Sequence, residues 1–305
     1  MLVITAAALF GAPVFLAVAV TFDVVRTRLR LPTLRTYLFV LQYLINDSVE
    51  ILFGPLYPLV PSLAERTAWW SVDLLRRRAE QLLGIEVDLD DESLATLSPE
   101  HAPLIVVARH VSVLDASLPG VVCRRFGLRA RGVMMLELLN DPGFDIVYGR
   151  LGSVFIPRND PEVALGRVRA MTSGAGPGDA FVIFPEGRLF SRGALESSMR
   201  RLGRSSPERA ERLGGLRSTL PPRPGGMLAL LESLPDADVV VLEHRGLERY
   251  RRLLDIAADA PVGLRVAVTA ERIPRATIPD GDAAVRWLDE LWLQLDREAS
   301  RVAHS

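Results

Sequence analysis

His110 stands just past the apolar run Leu104–Ala108, and Asp115 follows it five positions later. If Ser112 caps the next helix, Asp115 falls in its first turn and can reach back to the imidazole. A carboxylate on one ring nitrogen fixes the tautomer and raises basicity, leaving the other nitrogen free to remove a proton. The same residues read equally as a capping box, Ser112-x-x-Asp115, which needs no catalysis. Two further segments carry chemistry-bearing side chains at strand ends. Gly152-Ser153-Val154-Phe155-Ile156-Pro157-Arg158 places an arginine at a strand end, which on its own reads as a solvated charge. Phe184-Pro185-Glu186-Gly187 closes another apolar run with a carboxylate and a glycine turn.

The composition excludes most rival chemistries. All 36 residues in the Lys+Arg count are arginine, so there is no lysine Schiff base and no P-loop lysine. A single cysteine, Cys123, allows no internal disulfide and no multi-Cys zinc or iron–sulfur site. The histidines are His101, His110, His244 and His304, with no H-E-x-x-H among them, so no metal is expected. A formal net charge of −1 argues against a nucleic-acid partner. No G-x-S-x-G elbow supplies a serine nucleophile. Uniform arginine usage reads as codon bias, so arginine clusters are discounted unless a motif supports them.

Positioning these residues calls for alternating strands and helices. Strands are expected at Ile85–Leu89, Leu104–Ala108, Ala130–Met134, Ser153–Pro157, Ala180–Phe184, Val239–Glu243 and Leu264–Thr269. Helices are expected near Val113–Phe126, Pro161–Met171, Gly226–Leu234 and Asp282–Arg301. Several strands are continuous apolar runs, which indicates burial on both faces and an α/β fold with a mostly parallel sheet. Asp160-Pro161-Glu162 supplies an N-cap, an N1 proline and a first-turn acid. Ser191 to Pro224 is polar and Arg/Gly/Ser-rich, a long excursion off the sheet of the kind that usually has a function.

The amino-terminal end is of another kind. Met1 to Phe22 carries no charged side chain and is long enough to cross a bilayer core. Arg26, Arg28, Arg30 and Arg35 follow it, opposed only by Asp23, which places the rest of the chain on the cytoplasmic side. A cleaved signal peptide is the rival reading, but its basic residues would precede the apolar run. Tyr37 to Leu63 is apolar but interrupted by Asn46, Asp47 and Glu50, then by Pro55, Pro58 and Pro61. It reads as an interfacial or re-entrant arm, or as a Pro-rich arm packed on the globular part. Ser62 with Glu65 forms a capping-box pattern opening a helix to about Leu83, with Trp70 on its packed stripe and Gly84 ending it. The organisation expected is a membrane anchor and arm over 1–61 and a globular domain over 62–305.

In order and spacing, the three segments resemble the 1-acylglycerol-3-phosphate acyltransferase family of the lysophospholipid acyltransferase superfamily. Its blocks are N-H-x4-D, G-x-x-F-I-x-R and F-P-E-G-T-R. His110 and Asp115 match the first, Gly152, Phe155, Ile156 and Arg158 the second, and Phe184 to Gly187 the third. Glu137-Leu138-Leu139-Asn140-Asp141-Pro142 and Leu220-Pro221-Pro222-Arg223-Pro224-Gly225-Gly226 are similar to segments of the branch holding eukaryotic-type lysophosphatidate and lysocardiolipin acyltransferases. The resemblance implies a glycerolipid acyltransferase-like fold and no cofactor. It also implies transfer of a fatty acyl group from acyl-CoA or acyl carrier protein to a lysophospholipid hydroxyl at the bilayer. His110 would be the base, Asp115 its orienting partner, and Arg158 the phosphate clamp. Glu186 and the Gly187 backbone would position the glycerol and the developing charge. Arg109 stands where the family has Asn, and Arg188-Leu189 where it has Thr-Arg, so the acceptor stays open. It is lysophosphatidate, or another lysophospholipid, lysocardiolipin or glycolipid. Arg188, Arg192 and Arg223 are further candidates for its phosphate. Two other readings are a hydrolase using Ser112 or Ser117, and a membrane lipid-binding protein without catalysis.

Overall fold

The structure, a computed structural model, describes residues 1–95, 97, 103–252, 255–256 and 259–302. His101 and His304 lie outside them. Seven strands form one sheet: β1 (Glu86–Leu89), β2 (Leu104–Ala108), β3 (Arg129–Met135), β4 (Val154–Ile156), β5 (Asp179–Ile183), β6 (Val239–Arg245) and β7 (Arg265–Ile273). Their order is β1-β7-β6-β2-β5-β3-β4. β2 runs parallel to β5 and β6, β3 runs parallel to β5, and β7 is antiparallel on β6. Every residue of β2 and β5 is buried, which is why both read as unbroken apolar runs. Val107 pairs with Ile183 and Ala108 with Leu242, so three carboxyl ends finish side by side. In an open α/β sheet that edge is where ligands bind.

Parallel neighbours need crossovers, and helices supply them. α4 (Leu118–Arg125) leads from β2 towards β3, and α5 (Pro161–Met171) from β4 towards β5. Asp160 caps α5 by accepting the Val163 N–H at 3.0 Å. The helix expected from Val113 begins instead as a 3₁₀ turn at Asp115–Ser117, because the Asp115 carboxylate is engaged with the backbone behind it. β6 and β7 both outrun expectation, since their antiparallel pairing continues from Val239 opposite Ile273 to Arg245 opposite Ala267. His244 therefore lies within a strand, not after one.

The polar excursion leaves the sheet as expected but is largely helical. It contains α6 (Arg192–Ser205) and α7 (Pro207–Arg212) and returns through α8 (Pro224–Ser233) to β6. Ser191 caps α6 by accepting the Ala194 N–H. The carboxy-terminal helix α9 (Asp282–Val302) ties this excursion down with two buried acids. Asp289 receives Arg209 through both oxygens, with Arg212 at 3.2 Å. Asp296 receives the N–H groups of Arg217, Ser218 and Thr219 and the Thr219 hydroxyl.

Contacts group the chain into two compact units: Met1–Asp88 with Met134–Phe155 and Arg252–Val266, and Leu89–Val133 with Ile156–Arg251 and Ala267–Ser305. In the first, α1 (Leu2–Val25) is long and apolar enough to cross a membrane, with mean hydropathy 2.4 over its best window and little of it covered. α2 (Pro32–Phe53) is one continuous helix that packs antiparallel on α1: Thr5 bonds Ser48 at 2.7 Å, and Phe15 stacks on Tyr37. The polar residues expected to interrupt this stretch do not break it. Asn46, Asp47 and Glu50 are buried inside the unit, where Asn46 meets Ser71 and Glu50 accepts the Tyr57 hydroxyl at 2.9 Å. α3 (Pro61–Arg78) continues as a π turn to Leu83, and Gly84 ends it with φ +63°. Val60 is its N-cap, so Ser62 falls inside the first turn and the expected capping box is not the start signal. Trp70 is exposed; Ala68 and Ser71 are buried in its stead.

Candidate functional site

The centre of the site is a local construction at the end of β2. Asp115 is wholly buried, and its Oδ1 lies 2.6 Å from His110 Nδ1. Its Oδ2 accepts the N–H groups of Val111 at 2.7 Å and Ser112 at 2.8 Å. An acceptor-only carboxylate assigns the proton to Nδ1, which leaves Nε2 as the basic nitrogen. The His110 side chain is 21% exposed, and the Phe184 ring packs against it with centroids 4.7 Å apart. The expected capping box forms only in part: Asp115 accepts the Ser112 N–H, but Ser112 Oγ accepts the Leu114 N–H and the 3₁₀ turn has Leu114 as its N-cap. One carboxylate holds both the loop backbone and the imidazole, so the loop pre-organises the dyad.

Glu186 comes from the turn after β5 and is 2% exposed. Its Oε1 accepts the His110 N–H at 3.2 Å and its Oε2 the Leu220 N–H at 3.0 Å. Burial pushes its pKa up to about 8, against those two donors and Arg109, which act the other way. Both oxygens thus brace backbone, one beneath the histidine and one at the end of the excursion. Gly187 follows with φ +64°, and a Cβ there would stand 3.3 Å from Arg223 Cδ and 3.4 Å from its Nε. Only glycine combines that left-handed turn with an arginine stem laid over its α-carbon. The Arg223 N–H bonds the Pro185 carbonyl at 2.8 Å, which fixes the returning chain to the same turn.

Around that turn the arginines gather. Burial lowers the basicity of Arg223, and the positive charges of Arg201, Arg158 and Arg188 lower it further. Arg158, at its motif position, and Arg188, which departs from the family's block, thereby share one electrostatic neighbourhood with Arg223. Arg223 joins them from the excursion, and Arg201 had no sequence signal beyond its arginine-rich surroundings. Arg109 goes elsewhere. It is 5% exposed and bonds the His244 carbonyl at 2.5 Å and Glu248 Oε1 at 2.7 Å, so it is an internal brace facing β6. Gly152 and Phe155 belong to the first unit. Gly152 sits at φ +85° in the turn before β4 and Phe155 is buried, so both shape the strand's entry. Ile156 ends β4 and is half-buried.

Other nucleophiles are occupied. Ser112 donates its hydroxyl to the Tyr250 carbonyl and Ser117 donates to the Leu114 carbonyl at 3.1 Å, so neither is presented to His110. Cys123 is buried, and burial pushes its thiol up to about 12. Among the described residues no group of three or more His, Cys, Asp or Glu could hold a metal ion.

The chemistry that the geometry offers is proton abstraction at Nε2, with a group of arginines gathered at the Gly187 turn. No curated protein and no solved structure matches the chain. Residues 91–240, a stretch that contains the His110 dyad and the Glu186 turn, match the protein-family model described as Acyltransferase, a match that supports membership in the broad acyltransferase superfamily.

Proposed function

We propose that the protein transfers a fatty acyl group from acyl-CoA, or acyl carrier protein, to the free hydroxyl of 1-acylglycerol-3-phosphate, giving phosphatidic acid. The observation that carries this reading is the pairing of the 2.6 Å His110–Asp115 contact with the arginines gathered at Gly187. His110 Nε2 takes the acceptor's hydroxyl proton as the oxygen attacks the thioester carbonyl. The tetrahedral intermediate collapses, the C–S bond breaks, and the imidazolium returns its proton to the departing thiolate. Asp115 holds the imidazole and stabilises its charged form. A thioester is already activated, so no covalent acyl-enzyme is needed. Arg158, Arg188 and Arg223 hold the acceptor's phosphate; Glu186 acts through the His110 backbone, and the Gly187 turn leaves room for Arg223. α1 crosses the bilayer with the arginines that follow it on the cytoplasmic side, which keeps the site at a substrate that stays in the membrane.

The test uses membranes carrying the full chain, one labelled acyl-CoA and a panel of lysophosphatidate, other lysophospholipids, lysocardiolipin and monoacylglycerol. Lysophosphatidate is expected to be the best acceptor, and His110→Ala to lower transfer by about 10³-fold. Undiminished transfer in that variant would overturn the mechanism. A better rate on lysocardiolipin or an uncharged acceptor would overturn the substrate.

A further inference from the structure

Ala108 pairs with Leu242, and the same parallel register brings His244 to the strand end that carries His110. His244 is 1% exposed. Its Nε2 lies 3.2 Å from the Arg109 carbonyl, which can only accept, so Nε2 carries the ring proton. The same nitrogen stands 3.6 Å from Asp115 Oδ2, beyond hydrogen-bond length yet close enough for its N–H dipole to act on the carboxylate. Its Nδ1 is buried and has no hydrogen-bond partner, so no acceptor awaits a second proton. The charged groups facing the ring are Asp115, Arg109 and Glu248. Burial above all keeps it neutral: the Asp115 and Glu248 carboxylates favour its charged form, and Arg109 opposes it. The bond from Arg109 back to the His244 carbonyl closes the arrangement, so the two residues are locked head to tail across β2 and β6.

We infer that His244, locked by Arg109, is a positioning residue for Asp115, presenting a neutral N–H to the carboxylate oxygen that His110 does not use. Oδ2 then faces three N–H groups, those of Val111, Ser112 and His244, and Oδ1 is left to His110 alone. The two backbone bonds and the nearby His244 N–H dipole hold the carboxylate against rotation away from the imidazole. Arg109, which departs from the family's asparagine, acts on the dyad from behind and not on the acceptor. Without the His244 N–H, Oδ2 is left to its two backbone donors and the carboxylate is freer to turn from the imidazole, a change that a pH–rate profile reads. This inference rests on acyl transfer by His110.

The test compares His244→Gln, whose amide nitrogen can stand where Nε2 does, with His244→Asn, whose amide nitrogen stops one bond short. Both are assayed as the full chain in membranes, with His110→Ala alongside. His244→Gln is expected to stay within about threefold of the parent kcat and to keep its pH profile. His244→Asn is expected to lose about tenfold in kcat, with the acceptor KM unchanged and the acid limb displaced from the parent's. Equal kcat and equal acid limbs in the two variants, or a change confined to KM, would overturn the inference. If His244→Asn lacks the parent's circular dichroism spectrum, His244→Met, apolar and of similar reach, carries the same comparison. If His110→Ala still transfers acyl groups, the reaction itself is misassigned and this role falls with it. If His110→Ala is inactive while both His244 variants match the parent, only the role of His244 falls.

Discussion

Arg209 closes on both oxygens of the buried Asp289 and on the Pro222 carbonyl, whereas Arg223, at the end of the same excursion, is surrounded by the charges of Arg201, Arg158 and Arg188. The first guanidinium is satisfied inside the protein and needs nothing more. The second sits among like charges, an arrangement that costs free energy until an anion arrives. In a chain whose basic residues are all arginine, residue type cannot separate scaffold from site. The sign of the surrounding charge can. The same contrast holds between acids: Asp296 gathers four donors to hold a loop, while Asp115 gives one oxygen to backbone and the other to a histidine that is partly open.

This contrast can be broken by measurement. Arg209→Ala leaves Asp289 to Arg212 alone and should cost about 3 kcal/mol of stability in urea unfolding, with the acceptor KM untouched. Arg223→Ala should do the reverse. It removes a charge-assisted contact of about 2 kcal/mol, raising the KM for lysophosphatidate more than tenfold, while the thermal midpoint holds or rises. Monoacylglycerol, which has no phosphate, should show no such loss, and an equal loss there would dissolve the distinction.

Glu186→Gln sharpens it from the acid side. One amide N–H would face a backbone donor, at His110 or Leu220, for about 1 to 2 kcal/mol. Glu186 also carries a pH signature. Its pKa is raised from 4.5 to about 8, so the stability its protonated form confers is whole below about pH 4.5 and is lost as pH rises through about 8. Denaturation of the parent should show that slope, and Glu186→Gln should flatten it. The smallest effect is that of salt. Raising ionic strength should weaken lysophosphatidate binding in the parent more than in Arg223→Ala, and leave the buried Arg209–Asp289 contribution nearly unchanged.

The strands, α5 and α9 were legible because their signals are local. Leu104–Ala108 is apolar throughout, Asp160-Pro161 is a cap followed by an N1 proline, and α9 is amphipathic at helical spacing. The continuity of α2 was not legible, because Asn46, Asp47 and Glu50 look like interruptions in an apolar stretch. Nothing local says that Ser71 and Tyr57 will meet two of them inside the unit. α6 was hidden by its Arg/Gly/Ser composition, although Ser191 is a sound N-cap.

The His110–Asp115 pair was fixed within six residues of chain. Asp115 returns to Val111, Ser112 and His110 through bonds that need only a tight loop after a strand, and any fold that ends β2 there preserves them. The family blocks and the apolar amino-terminal helix are local in the same sense. Glu186, Arg109, His244 and Arg223 owe their roles to register. Three parallel strands held in register bring together residues far apart in sequence, and whether a carboxylate meets substrate or backbone depends on which donors that register delivers. Glu186 met two backbone N–H groups, Arg109 met β6, and Arg223 met other arginines. Spacing along the chain does not encode such long-range contacts, because each depends on the packing of elements that the local pattern specifies only one at a time.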